Sequence, residues 1–70
     1  MREELIVLLA REHLDEYVTV YFRNEYIDGR WVEVDTHLKI ISLIPESKPH
    51  NRITIDYNEI TAIEYEVRQV

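Results

Sequence analysis

The spacing of apolar positions changes along the chain. Leu5, Leu8 and Leu9, and then Ile6, Ala10, His13 and Leu14, recur at i, i+3, i+4 intervals, with Val7 widening the stripe. That spacing predicts a helix over residues 3–14. Glu3 and Glu4 fall in its first turn, where the positive end of the helix dipole favours acid. Arg11, Glu12, Asp15 and Glu16 supply the wet side and the exit. The apolar stripe is expected to pack over the open end or an edge of a sheet.

From Tyr17 the period becomes two. Val18, Val20 and Phe22 alternate with Tyr17, Thr19, Tyr21 and Arg23, which predicts a strand with one buried face. The next run, Trp31 to Ile44, is too long for one strand and is expected to bend or bulge near Thr36-His37. Residues 45–51 hold two prolines among polar residues and predict a loop. Arg52 to Asp56 alternates again. Tyr57-Asn58-Glu59 is a short turn, and Ile60 to Val67 a last strand with Ile63, Tyr65 and Val67 on one face.

The first hairpin has two possible registers. A three-residue loop at Ile27-Asp28-Gly29 pairs Tyr26 with Arg30 and sets Phe22 and Val20 beside Val32 and Val34. The rival puts the turn at Asn24-Glu25 and leaves Gly29 inside the second strand, where glycine permits a sharp bend. Local chemistry favours the first, because glutamate is a poor residue where φ must be positive. No helices alternate with the strands to make parallel crossovers. The expected fold is therefore mainly β: an N-terminal helix, then about five bent antiparallel strands, closed or nearly closed into a small barrel.

Composition narrows the picture further. Seventy residues make a single domain, 1–70, and a domain this small buries only about 60% of its unfolded surface. There is no cysteine, so no disulfide or thiolate metal site reinforces it, and association is a reasonable route to more buried area. No secretory leader is visible and no apolar run approaches the roughly 20 residues of a membrane span, so the cytoplasm is the expected compartment. The net charge is −6, and the basic residues are scattered rather than clustered, which disfavours nucleic acid as a partner. One glycine in the whole chain excludes a phosphate-cradling glycine loop.

The candidate chemistry is sparse. His13, His37 and His50 lack a second ligand at zinc spacing. Asp35 and His37 would share a face of a flat strand, but Ser42 and Ser47 have no nucleophile context. Glu33, Asp35, Glu64 and Glu66 alternate as a solvent-facing strand side does. No catalytic residue, metal or cofactor is expected, and an enzyme is the least expected class. Five tyrosines in so short a chain suit an interface, and Tyr21, Trp31 and Tyr65, with the 45–51 loop, are the candidate contact points.

The helix-plus-five-strand order resembles the Sm-like (LSm) barrel family. That family's first signature sets alternating hydrophobics before a glycine, a hydrophobic two later, an apolar residue before an aspartate, and then a methionine-asparagine pair. Here Val18, Val20 and Phe22 precede Gly29, Trp31, Val34-Asp35 and Leu38-Lys39. At the second signature, a hydrophobic, an arginine-glycine and two hydrophobics three apart, stand Ile55, Asp56-Tyr57, Ile60 and Ile63. The resemblance spans roughly residues 5–67. It implies self-association, the fourth strand (Ile53 to Asp56) meeting a neighbour's fifth (Ile60 to Val67). It also implies an alternative function, an RNA-binding ring using Asp35, His37 and Lys39. Lys39 in place of asparagine, and Asp56-Tyr57 in place of arginine-glycine, alter that RNA site. A looser resemblance, through Asn58-Glu59-Ile60-x-x-Ile63, is to YolD-like proteins, which implies an accessory to a DNA-damage-tolerance polymerase. The leading expectation is a small non-catalytic protein-interaction or regulatory module.

Overall fold

In the computed structural model, which describes residues 1–67, the first element is α1 (Glu3–His13). Its ends suit its dipole: Glu3 and Glu4 open it, and Arg11 and His13 close it. The Leu14 N–H bonds back to the Ala10 carbonyl, and Asp15, at φ 70°, turns the chain out of the helix. Ile6, Leu9, Ala10 and His13 are buried, whereas Leu5, Leu8 and Leu14 remain exposed. The packed stripe is thus narrower than the apolar stripe in the sequence.

Five antiparallel strands follow: β1 (Tyr17–Phe22), β2 (Glu25–Asp35), β3 (Ile40–Pro45), β4 (Ile53–Asp56) and β5 (Ile60–Glu64). They form one sheet in the order β4-β3-β2-β1-β5. The mainly β architecture is as the alternation predicts, but the sheet is not closed into a barrel. Among the described residues β4 pairs only with β3 and β5 only with β1. Consecutive in the chain, these two strands stand at opposite edges. A 3-10 turn, Tyr57–Glu59, carries the chain between them. It is pinned at both ends, by the Tyr57 N–H on the Lys39 carbonyl (2.9 Å) and the Arg23 N–H on the Glu59 carbonyl (3.3 Å). The turn spans the opening where strand pairing would have closed it.

The first hairpin departs from the favoured register. Phe22 pairs with Glu25, Val20 with Ile27 and Val18 with Gly29, so the connection is Arg23-Asn24, with Arg23 at φ 55°. Gly29 lies within β2, as in the rival register, though the turn falls one residue earlier. The glycine serves a close approach rather than a left-handed turn. A Cβ there would stand 2.6 Å from the Ile44 carbonyl oxygen of β3. The backbones touch where β2 is paired on both sides, with Val18 and with Pro45.

The long apolar run divides into β2 and β3 at a tight turn, not a bend. The Asp35 carboxylate accepts the His37 and Leu38 N–H groups at 2.9 and 2.8 Å, and Lys39 takes φ 59°. The irregularity expected near Thr36-His37 instead lies earlier, where the β2–β3 register shifts between Trp31 and Glu33. The last strand ends at Glu64, so Tyr65 and Val67 lie beyond it.

The core lies between α1 and the inward face of the sheet. Trp31 is fully buried at its centre with Ile6, Val20, Ile41 and Leu43. Its indole N–H donates to the Glu33 carbonyl at 2.9 Å, so its one polar atom is satisfied. Burying some 150–250 Å² of indole at about 25 cal/mol per Å² contributes about 4–6 kcal/mol. That is large against the ~5–15 kcal/mol of a typical domain. The helix is fixed at both ends. The Met1 ammonium donates to the carbonyls of Tyr57 (3.0 Å) and Ile60 (2.7 Å). After the helix, the Asp15 N–H bonds to the Trp31 carbonyl, and the Trp31 N–H to the Glu16 carbonyl.

Candidate interaction surface

Alternation along β1 turns Val18 and Val20 inward, and therefore Tyr17, Thr19 and Tyr21 outward. Their β2 partners are Arg30, Asp28 and Tyr26, and on the other side Glu64 and Ala62 of β5 flank Thr19 and Tyr21. The result is an exposed sheet face of tyrosine and carboxylate. Tyr21 and Tyr26 set their rings 5.9 Å apart at 40°. The Tyr21 hydroxyl donates to Glu64 at 2.8 Å. That hydrogen bond, and then the charge of Glu64, push the phenol above its ordinary pKa. The Thr19 hydroxyl donates to Asp28.

Beside this face runs a groove of about 380 Å³, walled by Tyr17 and Tyr65 and reached by Asp28, Glu46, Glu64 and Glu66. Val18 and Gly29 also line it. Glu46, just past β3, is held there by its N–H on the Asp28 carbonyl (3.0 Å). Tyr65, past β5, is oriented by stacking on His13 at 4.2 Å between ring centres. His13 is mostly buried, its Nδ1 lying 3.3 Å from a Glu16 carboxylate oxygen.

The contact points expected from sequence fare differently. Tyr21 and Tyr65 are exposed by 37% and 40% and lie on or beside this face. Trp31 is 0% exposed and belongs to the core, so it offers no contact surface; an indole this large stabilises more as the centre of a thin core than at a rim. Residues 46–51 are exposed, as expected of a loop. Asp35, His37 and Lys39 share the β2–β3 turn, away from the tyrosine groove. There Asp35 is engaged by backbone N–H groups, and the Lys39 ammonium lies 3.9 Å from Glu3.

The alternating acids do not form one set. Glu33 accepts from Ser42 (3.1 Å) and Arg52 (3.2 Å), Ser42 also meeting Thr54 at 3.0 Å, in a polar ladder across β2, β3 and β4. Asp35 holds its turn, while Glu64 and Glu66 reach the groove. Among the described residues no group of three or more His, Asp or Glu side chains is placed to hold a metal ion, and no helix is long and apolar enough to cross a membrane. The grouping of Asp28 and Glu46 with Glu64 and Glu66 was hidden in the sequence by the hairpin register, which placed Asp28 in a turn. Family models, characterised proteins and solved structures compared with the chain give no match.

Proposed function

We propose that the protein is a non-catalytic interaction module that binds through its sheet, with an Sm-like plan. The observation that carries this is the strand order. It leaves β4 and β5 as opposite free edges of an open sheet, beside an exposed tyrosine-bearing face. A free edge presents unpaired N–H and C=O groups, a ready template for another strand. In the Sm-like plan the fourth strand of one copy meets the fifth of the next, and here those are the two edges. Self-association is the first partner to test, and a different protein at the same edges the second. The acidic charge and the occupied Asp35 carboxylate weigh against the RNA-binding alternative.

The chain has no cysteine, so paired substitutions report without background. Thr54→Cys on β4 with Ala62→Cys on β5, both exposed, is expected to give a ladder of disulfide-linked multimers on mild oxidation. Light scattering of the unsubstituted protein is expected to show a mass above one chain. A single-chain mass at every concentration, with no ladder, rules self-association out. Binding of a uridine-rich oligonucleotide at low salt, its most favourable condition, would favour the RNA-binding alternative instead.

A further inference from the structure

We infer that the groove between Tyr17 and Tyr65, beside the exposed outer face of the sheet, docks an arginine-bearing basic segment of a partner protein. This rests on the interaction-module reading and names the partner's chemistry.

The argument is charge complementarity on an aromatic-walled surface. Asp28, Glu46, Glu64 and Glu66 all reach one groove, yet none has a cation within ion-pair distance among the described residues. Four of the fold's cations are engaged elsewhere. Arg23 pairs with Glu59, Arg30 with Asp15, Lys39 with Glu3 and Arg52 with Glu33. Arg30, opposite Tyr17 in the ladder, is the cation nearest in register, and it turns to Asp15 at 3.8 Å. Like charges held together repel, and a partner bringing positive charge relieves that repulsion.

The tyrosines decide which cation. Tyr17 is 64% exposed and offers a free ring, and Tyr65 is steadied by His13 beneath it. A guanidinium lies flat on such a ring and presents paired N–H donors to a carboxylate at its edge. An ammonium is a compact, strongly hydrated point charge that does neither as well. Two of the carboxylates already accept one hydroxyl each, Asp28 from Thr19 and Glu64 from Tyr21, which fixes them in place and leaves acceptor capacity free.

The test uses the full chain and a fluorescein-labelled arginine-serine repeat peptide, with lysine-serine and glutamate-serine repeats beside it, in anisotropy titrations from low to physiological salt. The arginine peptide is expected to bind more tightly than the lysine peptide, and the glutamate peptide not at all. The double variant Glu46→Gln with Glu66→Gln is expected to weaken arginine-peptide binding about tenfold or more. Glu4→Gln with Glu12→Gln, on the helix, changes the net charge equally and is expected to leave it within about twofold. Tyr17→Leu is expected to narrow the margin of arginine over lysine. Circular dichroism melts confirm that each variant is folded. Equal losses in the two double variants would make the attraction one of net charge only and overturn the proposal. So would equal binding of the arginine and lysine peptides, an undiminished margin in Tyr17→Leu, or no binding at low salt. A disulfide ladder that persists while the peptide fails to bind sinks this proposal alone and leaves the edge-strand module standing.

Discussion

A methyl group on Gly29 has nowhere to go. The nearest obstacle is the backbone oxygen of Ile44, which cannot rotate aside as a side chain would. Gly29→Ala must separate β2 from β3 where β2 is paired on both sides, and is expected to destabilise the fold by about 1–3 kcal/mol. Urea unfolding checks this: the midpoint should fall while the slope is unchanged. A midpoint equal to that of the unsubstituted protein would mean the strands do not approach so closely. The need for glycine here was legible in the sequence only as a choice between two roles. Asp28-Gly29 carries the local chemistry of a turn, and nothing nearby in sequence reveals that Ile44 will lie against it. Trp31 presents the opposite case. A rare, large aromatic suits an interface as well as a core, and only the packing of five strands decides which. Tyr21 was legible as a surface residue because it alternates with buried Val20, whereas Tyr65 falls in register with Ile63 and is exposed because β5 ends before it.

At the scale of elements, α1 and the apolar strands could be read from period alone, since 3.6 and 2 are hard to confuse over such lengths. The hairpin register could not. It places positive φ on Arg23, a residue with no special preference for it, and draws compensation from a distant element. The Arg23 guanidinium meets the Glu59 carboxylate at 2.7 Å, on the 3-10 turn that spans the sheet opening. That hydrogen bond, and then the positive charge, hold the Glu59 carboxyl below its ordinary 4.5. A lowered carboxyl contributes stability that is present above 4.5 and is lost as pH falls through the folded-state value. Glu59→Gln is therefore expected to leave thermal stability less sensitive to acidification below about pH 4.5, with little change in that sensitivity at neutral pH. Melting temperatures across an acid series check this, and parallel curves for the two proteins would discount the pair. The effect should be small, because both groups are solvent-exposed and salt screens them.

For the whole molecule, the order β4-β3-β2-β1-β5 has two results. It leaves β4 and β5 as the sheet's two edges, and it makes the first strand depend on the last. The open sheet was not legible in the sequence, because closure depends on whether two short edge strands meet, and no residue records that. A chain ending at Glu59 loses β5, buried Ile60 and the pairing of β1's outer edge, and is expected not to fold. Circular dichroism checks this, and a cooperative melt from that fragment would show β5 to be dispensable. The same pairing sets an order in time. Tyr21 lies opposite Ala62, so β1 leaves the ribosome some forty residues before the strand that completes its pairing. Until then the nascent protein shows an apolar strand with an open side, and the late closing of so long a loop is the step expected to govern how fast it folds.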